Sequence, residues 1–182
     1  DVTFEAVNDP PILSGSSLFI DEGQTIKLTT SEISITDADD NLTDVNIAIS
    51  NLSSTLSIQV AGSPVTNFTA QQLTDGDVSL VHDGSETSQA FFDLTAEDGD
   101  EDNSTPSPQS LFVVVNAVDD PPIAENRSLV ILEDAGATSL GLQEPTTPDA
   151  GESLSFKVDQ IPSPEQGTIQ IAGNTISPSQ SS

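Results

Sequence analysis

The hexapeptide Val118-Asp119-Asp120-Pro121-Pro122-Ile123 repeats, with one substitution, a hexapeptide 111 positions earlier, Val7-Asn8-Asp9-Pro10-Pro11-Ile12. A repeat at a fixed offset constrains the fold more tightly than composition does, because the repeated unit must close on its own or stack on its neighbours. This offset suits a small all-β domain and lies well above the roughly 20–45 residues of a solenoid repeat. In each copy a strand-like run, Val2 to Val7 and then Leu111 to Val118, meets acidic residues and a proline pair. Proline has no N–H with which to continue a ladder, so the hexapeptide marks a junction between modules. The register persists beyond it: Glu22 falls on Glu133 and, after one extra residue, Asp37-Ala38 falls on Asp149-Ala150.

Three segments follow. Residues 10–120 are expected to form one complete module, residues 1–9 the last strand and linker of a preceding one, and residues 121–182 the truncated N-terminal half of the next. Within the complete module, apolar residues alternate with polar ones at Ile26/Leu28, Val45/Ile47/Ile49, Leu56/Ile58/Val60, Phe92/Leu94/Ala96 and Val113/Val115/Ala117. A period of two means half-buried strands. Ser17 to Asp21 and Val78 to Leu80 add to them, and only Phe68 to Leu73 has the makings of a helical turn, closed at Asp75-Gly76. About seven short strands with turn residues between them predict an all-β fold, a seven-stranded antiparallel Greek-key sandwich of cadherin or immunoglobulin type. In the second copy, strands are expected at Ser128–Leu132, Leu154–Val158 and Gly167–Ala172. Lacking its closing strands, this half is expected to be loosely folded, with the orphan strand Val2–Val7 of a neighbouring molecule as its hypothetical complement.

The net charge is −27, and Lys27, Arg127 and Lys157 are the only strong cations. Nucleic acid is excluded as a partner, since phosphate binding needs a basic footprint. So much negative charge opposes compaction unless divalent cations bind or salt screens it. With no cysteine, disulfides, zinc-thiolate sites and thiol catalysis are absent, which leaves a metal as the source of rigidity outside the cell. No apolar run is long enough to span a membrane, so direct membrane insertion by these residues is not expected.

The acidic residues gather where loops of a sandwich converge: Asn8-Asp9, Glu22, Asp37 and Asp39, Asp83 and Glu86, Asp98 and Asp100, and Asp119-Asp120. Calcium takes six to eight oxygen ligands, and an i, i+2 pair such as Asp37/Asp39 or Asp98/Asp100 can aim two carboxylates at one centre. Such pairs are also common in solvated turns, and their weight comes from standing at both ends of one repeat. His82, Asp83 and Ser85 have the residue types of a hydrolase triad, but neighbours in one turn cannot line up nucleophile, base and orienter. His82 reads instead as a turn residue bonded to backbone, and no catalytic residue is assigned. Sugar-stacking Trp and Tyr are absent, and most Phe residues fall in core phase, with Phe91 and Phe112 the exceptions.

Three segments resemble a known family. They are the Val-Asn-Asp-Pro-Pro junction, the run from Phe68-Thr69 through Gly76-Asp77-Val78 to His82-Asp83-Gly84-Ser85-Glu86-Thr87, and Phe92-Asp93-Leu94-Thr95-Ala96-Glu97-Asp98-Gly99. Together they are similar to cadherin-like tandem modules, those of large bacterial surface adhesins and of chondroitin-sulfate-proteoglycan-type repeats. Cadherins hold calcium between successive modules, so the resemblance implies calcium here. It assigns Glu22 as the glutamate that reaches the C-terminal junction, and Asp83 or Glu86 as its companion, since His82 to Glu86 stands where cadherins carry an Asp-Arg-Glu triplet. Asp119 and Asp120 become linker ligands, and Asp149 the ligand from the next module. Asn8, Asp9, Asp37, Asp39 and Asp98 take the equivalent parts at the upstream junction. The triplet itself is missing, and Gly151 stands where Asp39 repeats, so fewer ions are expected at 119–122 than at an intact junction.

The expected function is a calcium-rigidified spacer and adhesion module of a large extracellular or cell-surface protein. Its partners are the neighbouring modules and a cell-surface glycan or protein. The rival is a calcium-assisted carbohydrate-binding module that serves a polysaccharide-active protein.

Overall fold

The computed structural model describes residues 3, 8–38, 41–43, 45–99, 107–163 and 165–176. It divides into two compact units, residues 1–119 and 120–182.

The first unit is an all-β sandwich. One sheet has five strands in the order β2 (Leu18–Asp21), β11 (Gln109–Asn116), β10 (Gln89–Glu97), β5 (Asn46–Ser50) and β8 (Asn67–Thr69). The other has four, in the order β3 (Thr25–Lys27), β9 (Val78–His82), β6 (Leu56–Val60) and β7 (Ser63–Pro64). A separate pair joins β1 (Ile12–Gly15) to β4 (Ile33–Thr36). Alternation supplies the core: Phe92, Leu94 and Ala96 of β10, Leu111, Val113 and Val115 of β11, and Val78, Leu80 and His82 of β9 all point inward. Strands of both sheets contribute to this one cluster, and Phe68, Phe92, Ile47, Leu80 and Leu94 are among its largest fully buried members.

The β2–β3 link positions the site. β2 belongs to one sheet and β3 to the other, so the turn at Glu22–Gly23 crosses the sandwich at one end. Gly23 takes a positive φ of 66°, which glycine adopts without steric cost. At that end β11 also finishes, and the Glu22 N–H donates to the Asn116 carbonyl at 2.9 Å. β9 finishes there too, with the His82 N–H bonded to the Gln24 carbonyl at 3.0 Å.

Several expectations need correction. β2 pairs with β11 in parallel, Val113 opposite Leu18 and Val115 opposite Ile20, so the sandwich is not wholly antiparallel. The rest of the module serves as the long crossover that a parallel pair requires. β1 and β7 were not foreseen. The Ile-Leu-Ser-Gly run of β1 has no alternation to read, and Pro64 is tolerated because β7 is an edge strand. The helical turn expected in Phe68–Leu73 and closed at Asp75-Gly76 does form, as the helix α1 (Ala70–Asp75), with Phe68 and Thr69 belonging to β8 before it. Thr69 caps α1 in a reciprocal box with Gln72, and Gly76 closes it at φ 73°. The strand expected at Val2–Val7 falls outside the described residues except for Thr3.

The second unit contains far less regular structure. Its strands are β12 (Gln170–Ile171) and β13 (Asn174–Thr175), which form a hairpin through Ala172 and Gly173, both at positive φ. Ile123 and Thr146 make an isolated bridge by exchanging two backbone hydrogen bonds, of 2.7 and 3.0 Å. The strands expected at Ser128–Leu132 and Leu154–Val158 do not form, and that at Gly167–Ala172 shrinks to two residues. A run of alternating residues becomes a strand only where another backbone takes up its N–H and C=O groups. Val130 and Leu132 are 91% and 82% exposed, so their apolar side chains find no cover either.

Candidate metal centre

Glu22 is the residue that the fold treats most unusually. Its neighbours in the crossing turn are exposed, yet Glu22 itself is only 7% exposed. One oxygen, Oε2, accepts a long 3.4 Å bond from the Val118 N–H. The other, Oε1, is buried and accepts no hydrogen bond. A buried carboxylate oxygen without a donor carries a desolvation penalty that a cation would relieve. Glu86 brings a second carboxylate oxygen within 4.8 Å of Glu22. Of the two companions that the resemblance offered, Glu86 is therefore the one beside Glu22. Asp83 is engaged locally. Ser85 holds its carboxyl below the ordinary carboxylate range, the hydroxyl contributing first and the backbone N–H, the group in hydrogen-bonding geometry at 3.0 Å, second.

His82 lies between these two turns. It closes β9 rather than sitting in a turn, and its bonds to backbone are as expected: Nδ1 accepts from the Gly23 N–H at 3.3 Å and the Gly84 N–H at 3.2 Å. Its Nε2 lies 2.9 Å from Thr87 Oγ1. Both ring nitrogens are thereby engaged away from Asp83 and Ser85, so the three form no triad.

At the opposite end of this unit, Asn8 Nδ2 donates to Asp98 Oδ2 at 3.0 Å. Asp37 and Asp98 are half-buried and Asp9 is exposed. Asp39 and Asp100 lie outside the described residues, which leaves the two i, i+2 pairs unread. Asp119 closes the unit and is exposed.

In the second unit Asp149 Oδ2 accepts from the Asp120 N–H at 2.8 Å. Asp149 and Glu152 bring carboxylate oxygens within 4.8 Å of each other. Thr147 joins them, its hydroxyl donating to Glu152 at 2.8 Å and accepting from the Asp149 N–H at 3.2 Å. Thr147 was not singled out in the sequence. Thr87, Gly23 and Gly84 were given no part in the site either, although Gly84 and Thr87 stand in the segment that carries the family resemblance and a glycine after an acidic residue marks a turn.

A sandwich whose crossing turn buries a glutamate at the C-terminal end of its last strand is the arrangement expected of a cadherin-type module. Comparison with known proteins agrees. A family described as cadherin-like matches residues 10–116, more than half of the chain, and the chain belongs to that family. It is also 27% identical over 177 residues, 93% of its length, to the extracellular matrix organizing protein FRAS1 of Homo sapiens. The matched stretch is 4% of that relative, so the chain spans a small part of the relative's length. No helix among the described residues is long and apolar enough to cross a membrane.

Proposed function

We propose that this chain is a calcium-rigidified, extracellular cadherin-like repeat that acts as a spacer and adhesion module of a larger surface protein. The observation that carries the metal is the buried, hydrogen-bond-free Oε1 of Glu22 beside Glu86. An all-oxygen donor set of carboxylates suits calcium, which accepts six to eight such ligands. Glu22 and Glu86 would hold the ion from the module, with Asp119 and Asp120 of the linker and Asp149 of the following segment as the further ligands. Asn8, Asp9, Asp37, Asp39 and Asp98 would serve the N-terminal end. Bound calcium supplies charge neutralisation, and binding to the folded state alone converts affinity into stability. No catalytic role is assigned to any residue. Neighbouring modules are the first partners, and a protein of the matrix is the outward one.

The test is a thermal melt in calcium and in chelator, with calorimetric titration of calcium. Calcium is expected to raise the midpoint, and Glu22→Gln to remove most of the gain. A midpoint that ignores calcium overturns the metal reading and leaves the acidity as adaptation to salt.

One observation favours a second reading, the carbohydrate-binding module. Phe19 and Phe112 are each 64% exposed and Phe91 50%, on the outer face of the five-stranded sheet, where Phe91 lies opposite Phe112 and Phe19 opposite Val114. Aromatic rings on a flat face can stack on sugars. Glycan-array binding abolished by Phe112→Ser would establish it, and no binding to any glycan would remove it.

A further inference from the structure

We infer that His82 is a positioning residue: its ring clamps the crossing turn that carries Glu22 to the loop that carries Glu86, and so sets the spacing of the two carboxylates. The clamp is purely geometric; only its purpose rests on the calcium reading above.

The ring is 2% exposed and its two nitrogens do different work. Nδ1 receives the N–H groups of Gly23 and Gly84, at 3.3 and 3.2 Å, and so must be unprotonated. The proton then sits on Nε2, which donates to Thr87 Oγ1 at 2.9 Å. Thr87 thus fixes the tautomer, and the tautomer fixes the turns. Gly23 is the residue after Glu22, and Gly84 and Thr87 flank the segment that includes Glu86. Both glycines take a positive φ, and a methyl built on either would lie 3.8 Å from the Cα of the other, an ordinary contact, so backbone conformation rather than lack of space calls for glycine in both turns. One imidazole nitrogen then receives the N–H groups of both turns. Groups that hold metal ligands in place are worth about 10–100-fold in affinity when removed.

His82 is the only histidine, so its ring nitrogens are directly readable by 15N NMR. The test compares the wild type with His82→Leu, His82→Asn and Thr87→Val. Amide exchange and ring shifts are measured in chelator, and calcium affinity is measured by calorimetry. The wild type is expected to show the Nε2–H tautomer and protected amides at Gly23 and Gly84. His82→Asn, which retains an acceptor near the Nδ1 position, is expected to keep both amides protected and to bind calcium within a few-fold of wild type. His82→Leu should expose both amides and lose roughly 10–100-fold in affinity. Thr87→Val keeps the ring but removes its proton acceptor; it should lose the single tautomer and part of the protection, and it decides the matter if His82→Leu does not fold. Wild-type protection at both glycines in folded His82→Leu, or in Thr87→Val with a changed tautomer, overturns the clamp. If the wild type binds no calcium, the metal reading fails, while the exchange data still decide whether the ring joins the two turns.

Discussion

Phe92 and Phe156 begin from similar sequence. Each belongs to an alternating run, Phe92-Asp93-Leu94-Thr95-Ala96 in one case and Leu154-Ser155-Phe156-Lys157-Val158 in the other. The structure separates them completely. Phe92 is 0% exposed in the nine-residue strand β10, which is bonded on one side to β11 and on the other to β5. Phe156 is 55% exposed and belongs to no strand. None of the described residues of 120–182 is buried, whereas the first unit encloses a core drawn from both of its sheets. Alternation states which face of a strand would be apolar. Whether the strand exists depends on partners that take up its backbone and cover that face.

The largest test of this contrast is truncation of the two aromatics. Phe92→Ala should destabilise the protein by about 3–5 kcal/mol through a cavity in the core, and Phe156→Ala by under about 0.5 kcal/mol, read as urea midpoints. An equal effect would mean that residues 120–182 have a core in solution, and the comparison would fail. Next comes the glutamate pair that the repeat places in register. In calcium at about 100 times the dissociation constant, Glu22→Gln should forfeit about 2.7 kcal/mol of metal-linked stability. Its counterpart Glu133 is exposed, and Glu133→Gln should leave the calcium response unchanged. In chelator, Glu22→Gln should match the wild type or exceed it, because a buried charge with one oxygen left without a donor is removed.

A smaller difference is expected at two hydroxyls that each take a backbone N–H. Thr69→Ala removes the cap of α1 and should cost about 1 kcal/mol. Thr147→Ala removes a half-buried arrangement in the coreless second unit and should fall within about 0.5 kcal/mol of wild type.

The smallest effect concerns pH. The Ser110 hydroxyl and then the Asn51 amide donate to Asp93 and hold its carboxyl below the usual 3.8. A lowered folded-state pKa means that the ionised form is the one stabilised. Its contribution is complete above the unfolded value and is lost as the pH falls through the folded one. The melting difference between wild type and Asp93→Asn should therefore be constant near neutrality and shrink below about pH 4. A difference that grows on acidification would show that Asp93 is not stabilised as an anion.

Much of the first unit was legible because its pattern and its environment agree. The runs at Val45–Ile49, Leu56–Val60 and Phe92–Ala96 became strands with the expected faces inward. What stayed hidden had no periodic signature: β1 without alternation, the two-residue β7, and the parallel β2–β11 pair, which joins residues 95 positions apart. The site divides in the same way. Glu22 was identified from its register in the repeat, but sequence left open whether Asp83 or Glu86 accompanies it. Asp83 turns toward Ser85, two residues on, through a local bond that competes with any longer-range role.

The sequence by itself determined the all-β class, the inward residues and the acidic character of both ends, because those follow from period-two alternation and charge. Only the tertiary structure decided that Glu22 is buried with an oxygen left over, that Glu86 lies beside it, and that His82 ties their turns together. These depend on a chain that changes sheets at Glu22–Gly23 and on contacts between residues about 60 positions apart, Gly23 with His82 and Gly84. Local pattern specifies which groups a strand presents. Distance along the chain carries no information about which of them will meet.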